Sequence, residues 1–143
     1  MPYRYLEDVA TADIAFEAWG ETLEQMFKAS ADATINVMVE DLDAIAPSER
    51  KVLSFEDETL DMLLFQFLQE LIFYKDAENL LLRVEGLSIS KENNRFVCTA
   101  EARGEKADAE KHAFNVDIKA ITLHRFGVKE TARGWEATVV LDI

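Results

Sequence analysis

Residues 82–103, LRVEGLSISKENNRFVCTAEAR, hold two strand-like runs around one pair of asparagines. Leu82 to Ser90 and Arg95 to Arg103 flank Asn93-Asn94, a pair that tolerates the positive φ a tight hairpin turn demands. The stretch predicts an antiparallel hairpin, and the β signal continues beyond it. Val116 to Val128 alternates again, and Trp135 to Ile143 reads as a last strand, reached through a turn near Gly134.

Upstream of the hairpin the periodicity changes. Ile14, Phe16 and Ala18 alternate with Ala15, Glu17 and Trp19, the two-residue period of a strand with one buried face, and the run stops at Gly20. Thr22 and Gln25 then have the spacing of a capping box, which opens a helix. That helix would turn Leu23, Met26, Phe27, Ser30, Thr34, Val37 and Met38 inward and leave Glu24, Lys28, Asp32 and Glu40 in water. Pro47 marks the connection that follows. Val52 to Phe55 suits a short edge strand. The acidic run Glu56-Asp57-Glu58 suits the start of a second helix, where exposed amides favour negative charge. Leu60, Leu63, Leu64, Phe67, Leu68 and Leu71 form its main stripe, and Met62, Phe65 and Ile72 widen that stripe until the helix must pack on several sides. Together these elements predict an α+β fold, with two helices packed on a largely antiparallel or mixed β-sheet.

With 143 residues, 49% of them hydrophobic, the chain has the size of one domain with one core, taken as residues 1–143. Two Pro, five Gly and no biased stretch leave no linker to divide it. Cys98 is the only cysteine, so it has no intramolecular disulfide partner and alone builds no zinc site; a reducing, cytoplasmic setting is expected. The amino terminus lacks the apolar core of a secretory signal. Leu60 to Tyr74, the most apolar stretch, is interrupted by Asp61, Gln66, Gln69 and Glu70, and is shorter than the roughly 20 residues a membrane span takes. No membrane association is expected. The net charge of −13, from 28 acidic and 15 basic residues, repels phosphate backbones and favours cations or basic partner surfaces, so direct nucleic-acid binding by the chain alone is not expected.

No nucleophile elbow, phosphate-cradling glycine loop, zinc-ligand pair or dinucleotide fingerprint occurs in the sequence. The chemistry that stands out lies at the carboxyl terminus, where Asp142 and Ile143 put a side-chain and a main-chain carboxylate into one dipeptide. If that strand pairs beside the one beginning at Asp13, three carboxylates converge, and charges that close favour a neutralising cation. Oxygen-only ligation selects hard ions such as Ca2+ or Mg2+. The plainer reading stands beside it: a penultimate Asp on a fraying end is solvated, and Asp13 caps a turn.

A family resemblance runs through the same residues. Thr11-Ala12-Asp13-Ile14, Ala18-Trp19-Gly20, Thr22-Leu23-Glu24 and Phe27 resemble the amino-terminal signature of the archeases. Residues 63–70 resemble that family's central helix, Gly104-Glu105 with Lys111-His112 its late loop, residues 116–124 its long strand, and Asp142-Ile143 its ending. One departure is Ala10, which stands where the family commonly has His. The resemblance implies a metal site on Asp13, Asp142 and the terminal carboxylate of Ile143, holding a divalent cation: Ca2+ first, with Mg2+ or Mn2+ as alternatives. It also implies a role: a non-enzymatic activator of an RtcB-type RNA ligase in tRNA splicing and RNA repair.

The remaining polar candidates carry two readings each. Lys119 belongs to the long-strand motif and would share a face with Asp117 and Leu123, reaching either a phosphate or ligase, or a neighbouring acid. His124 would point the opposite way and be packed or hydrogen-bonded. His112, between charged neighbours, would be solvated unless it meets a partner. Asp41 would lie near the first helix's C-terminus, where negative charge is unfavourable, and is expected to be solvated. Two other functions compete with the activator: a chaperone-like modulator of an RNA methyltransferase, and a metal-dependent phosphohydrolase using the same carboxylates.

Overall fold

The computed structural model describes residues 2–6 and 13–143. Its strands fall into two sheets, each antiparallel throughout, where the sequence suggested one. Both Asn93 and Asn94 have positive φ, 51° and 62°, and they join β4 (Leu80–Glu92) to β5 (Arg95–Lys106). β3 (Glu49–Asp57), longer than expected, pairs with the other side of β5, giving the order β3-β5-β4. A bulge between Val84 and Gly86 shifts the pleat, so that Leu82, Val84, Leu87 and Ile89 all lie opposite the core-facing residues Gly104, Ala102, Ala100 and Cys98. The apolar phase of the sequence changes parity at that point, and the bulge is the reason.

The other sheet has the order β1-β2-β7-β6. β1 (Tyr3–Leu6) was not evident from the sequence. β2 (Asp13–Gly20) and β7 (Gly134–Asp142) match their expected positions. β6 (Ala120–Thr131) starts later than the alternation from Val116 suggested, because residues 116–119 run without a ladder partner. Within β6, residues 123–126 stand opposite Val139 alone, an insertion that contains Arg125 at φ 55°.

Two helices link the sheets, and each packs against strands of both. α1 (Leu23–Met38) opens with the expected box: Thr22 Oγ1 accepts from the Gln25 amide at 3.1 Å, and Gln25 Oε1 accepts from the Thr22 and Glu21 amides. Its buried Ser30 and Thr34 hydroxyls donate to the carbonyls of Met26 and Ser30 one turn back, so neither polar group is stranded. Two acids expected in water are engaged instead. Glu24 accepts from the Ile89 amide of β4 at 3.2 Å, and Asp32 pairs with Arg83 at 3.2 Å. Both corrections follow from α1 having a sheet on either side.

α2 (Leu60–Glu78) is capped by Thr59 and ends at Asn79, which adopts the left-handed conformation. Its apolar surface meets β3, β4 and β5 on one side and β6 on the other. Phe67 stacks against Phe27 of α1 and Phe55 of β3, with ring centroids 5.7 and 6.1 Å apart. The polar residues of α2 hold strands: Gln69 Oε1 accepts from the Ile121 amide at 2.8 Å, Asp61 Oδ1 from the Val128 amide at 3.1 Å, and Gln66 Nε2 donates to Asp57 at 2.9 Å. No helix among the described residues is long and apolar enough to cross a membrane.

Candidate metal centre

The β2–β7 ladder brings the start of β2 beside the end of β7. Its register runs from Gly20 opposite Trp135 to Asp13 opposite Asp142, and Ile14 pairs with Leu141 one step inside. Ile14 and Leu141 pack into the core. By the period of two, Asp13 and Asp142 therefore point to the other face of the sheet. Directly opposed residues have Cβ atoms about 4.5–5.5 Å apart, close enough for two carboxylates to share one cation. On the other side of Asp142 stands Ala120, whose methyl group leaves the approach open.

The terminus is held rather than loose. The Lys119 amide donates to the Asp142 carbonyl at 2.8 Å, and the Ile143 side chain packs against the core cluster. A carboxylate on Ile143, as expected from the sequence, would thus follow Asp142 at the end of the sheet. Among the described residues no three His, Cys, Asp or Glu side chains gather to hold a metal; the main-chain carboxylate expected at Ile143 would be the further oxygen donor beside Asp13 and Asp142. Two aspartates and a main-chain carboxylate form a hard-oxygen set, which fits Ca2+ or Mg2+ and does not fit zinc or copper. Three carboxylates fill only part of a shell of six to eight oxygens, leaving positions for water or a ligand. The Thr11-Ala12 part of the amino-terminal signature, and Ala10, lie outside the described residues.

Lys119 departs from its expected setting. It precedes β6 rather than sharing a strand face with Asp117 and Leu123, since Leu123 sits in the four-residue insertion. Its side chain is exposed beside Asp142 and makes no ion pair among the described residues. His124 also falls in the insertion and is exposed; the alternation that assigned it a packed face is broken there. Asp41 follows α1 by three residues and caps the short 3-10 turn Leu42–Ala44, accepting from the Asp43 amide at 3.0 Å, so the dipole of α1 does not bear on it. It is solvent-exposed, as expected.

His112 is the clearest correction, because its side chain is 0% exposed rather than solvated. The Asp108 amide donates to Nδ1 at 3.0 Å, which leaves the proton on Nε2 to be donated to Glu105 Oε2 at 2.9 Å. Glu105 gathers three segments. It accepts from the Ala46 amide at 2.7 Å, from Lys111 Nζ at 2.8 Å and from His112. The Ala46 amide and the Lys111 ammonium, with His112, hold its carboxyl well below the usual range, at about 2. This knot anchors the start of the 107–119 crossover from β5 to β6. Further along, the Glu40 amide donates to Ala113 O and the Asn115 amide to Met38 O, both at 2.9 Å. The sequence grouped Glu105 with the Lys111-His112 pair in one motif, but did not reveal the bonds that join them.

Lys75, which the sequence did not single out, grips the far end of the same crossover through Asp117 and Ile118. Burial pulls its ammonium's pKa down, but the hydrogen bonds it donates to Asp117 and Asp76 outweigh that and hold it above the ordinary lysine value. Cys98 lies fully buried in β5, where burial pushes its thiol up to about 12 and removes it as a nucleophile or ligand.

Comparison with known proteins agrees along nearly the entire length. The model of the Archease protein family (MTH1598/TM1083) matches residues 3–143. The protein archease of Methanosarcina barkeri is 35% identical over 142 residues, spanning 99% of this chain and 95% of its own. That of Pyrococcus abyssi is 37% identical over 134 residues, with 93% and 94% covered. The solution structure of Methanobacterium thermoautotrophicum protein 1598 superposes with a TM-score of 0.86 at 29% identity, covering 99% of both chains. A crystal structure from Thermotoga maritima, described as an archease and possible chaperone, shares the fold with a TM-score of 0.58 at 20% identity, covering 93% and 92%.

Proposed function

The chain belongs to the archease protein family, and on that premise we propose that it is a non-enzymatic, divalent-metal-binding accessory protein of the cytoplasm. It activates an RtcB-type RNA ligase, promoting guanylylation and multiple turnover during tRNA splicing and RNA repair. The observation that carries the reading is the cross-strand pair Asp13–Asp142, with the terminal carboxylate one residue further on.

Asp13, Asp142 and the carboxylate of Ile143 would hold the ion, Ca2+ before Mg2+ or Mn2+. When bound, the ion supplies neutralisation of phosphate charge in the ligase's nucleotide site. The three carboxylates would hold the ion at the end of the sheet, and the positive charge it supplies would be offered to the phosphates of the partner's nucleotide. Lys119, exposed beside Asp142, offers an ammonium to the same phosphates or to the ligase. The acidic surface suits a basic partner and disfavours RNA binding by the chain alone.

The test combines purified protein, a cognate ligase, GTP and divalent ion, and measures ligation over many turnovers. Addition of the protein should convert near-stoichiometric joining into repeated turnover, and unchanged turnover rejects the reading. A chaperone role tolerates D142N in that assay, whereas the activator role does not. Hydrolysis of a simple phosphodiester by the protein alone would favour the phosphohydrolase.

A further inference from the structure

We propose that Lys75 is the positioning residue for this site: it fixes the peptide unit between Ile118 and Lys119, and through that unit the Asp142 end of β7. The role deepens the metal-site reading above and rests on it for its consequence, though the geometry stands without an ion.

The argument begins with one peptide plane. Its carbonyl, Ile118 O, faces Lys75 Nζ at 3.4 Å, and its amide, Lys119 N, donates to Asp142 O at 2.8 Å. A trans peptide is rigid, so holding the carbonyl aims the amide on the opposite edge. Lys75 holds it with more than one contact. Its ammonium has three donors, and the structure supplies three acceptors: Asp117 Oδ1, Asp76 Oδ1 at 2.6 Å and Ile118 O. The Ile118 side chain, fully buried, anchors the same unit from the core side.

The setting separates this from an ordinary surface ion pair. The Lys75 side chain is 12% exposed, whereas the Asp117 side chain is 73% exposed. A charge that buried needs partners, and Lys75 finds all of its acceptors but Asp76 on the crossover. That need is specific. Residues 107–119 carry no ladder apart from the single bridge of Phe114 to Val39, and the Lys75 contacts, with the buried Ile118 side chain, are the last hold before the residue that clasps Asp142. Asp142 is the last residue of β7, where a strand frays unless tied, and a frayed Asp142 loses its place opposite Asp13.

The test compares K75M, which keeps the stem and removes the charge, with K75R, which keeps a cation. Amide hydrogen exchange at Lys119, read by NMR without any divalent ion, reports the peptide directly. A Ca2+ titration followed by thermal shift reports the site. K75M should exchange at least several-fold faster at Lys119 and need about tenfold more Ca2+ for half-maximal stabilisation, the usual scale for loss of a supporting contact. K75R should recover both. Parent-like exchange in K75M overturns the proposal, and so does K75R failing to recover either readout, which would assign the effect to packing. If K75M does not fold, D117N removes the exposed half of the ion pair and should speed the same amide; unchanged exchange there overturns the proposal too. A parent protein indifferent to Ca2+, with Lys119 exchange still dependent on Lys75, defeats the ion site and leaves the positioning role standing.

Discussion

Asp13 and Asp142 oppose each other on the end rung of the β2–β7 ladder, with both carboxylates on the sheet face away from the core. Like charges directly opposite destabilise a pair of strands by roughly 0.2–1 kcal/mol. D142N should therefore melt slightly above the parent in chelator, and below it in saturating Ca2+, where only the parent gains stability. Calorimetric melting in both buffers checks the reversal. Equal Ca2+ responses would remove Asp142 as a ligand.

Adding residues beyond Ile143 turns the terminal carboxylate into a peptide carbonyl and deletes one full negative charge from the site. Calcium affinity follows the number of charged ligands, so a tailed variant should bind about tenfold or more weakly and activate the ligase less. Isothermal titration against the parent decides it. Identical affinity would show that the terminal group is no ligand.

Glu105 makes stability depend on acid. Its folded pKa is depressed to about 2 from an ordinary 4.5, so its contribution is complete above pH 4.5 and is lost as pH falls toward 2. The stability gap between the parent and E105Q should be widest near neutrality and close at the acid end. Urea unfolding from pH 2 to pH 7 measures it, and a gap independent of pH would contradict the assignment. H112A strips a buried partner from Glu105 and from the Asp108 amide, and should cost about 1–3 kcal/mol at neutral pH.

Two glycines of the β3-β5-β4 sheet should respond differently. A Cβ at Gly104 would lie 1.7 Å from the Leu81 carbonyl oxygen, a backbone atom that moves only if β4 and β5 separate. G104A should lose at least about 1–3 kcal/mol. Gly86, at the bulge, has nothing within 4 Å of that position, so G86A should be neutral or gain about 0.4–1 kcal/mol through a less flexible unfolded chain. Urea midpoints moving the same way would contradict this packing.

What the sequence revealed was what neighbouring residues decide. The Thr22–Gln25 box, the alternation of residues 14–19 and the Asn93-Asn94 turn are local devices, and all three appear as read. The division into two sheets depends on which distant strands pair, and the one hint of it, an α2 apolar most of the way round, did not say what lay on each side. Asp13 and Asp142 were legible because a strand register is all that joins them. His112 was not, since its burial depends on Glu105 on another strand and on an amide within its own turn. His124 failed for a different reason: alternation carries a side chain to a known face only while the ladder is continuous, and residues 123–126 interrupt it. Lys75 looks, in sequence, like any lysine on a helix beside an aspartate.

The contacts from Gln69, Asp61 and Glu24 to the amides of Ile121, Val128 and Ile89 reach strands that border each sheet, since among the described residues β6 pairs only with β7 and β4 only with β5. An open border with free amides is a template on which another molecule's strand can zip and seed fibrils. Here helix side chains already occupy donors on those two borders. The helices thus do a second job as guards against polymerisation, and crowded preparations of the protein should stay dispersed for as long as α1 and α2 remain docked.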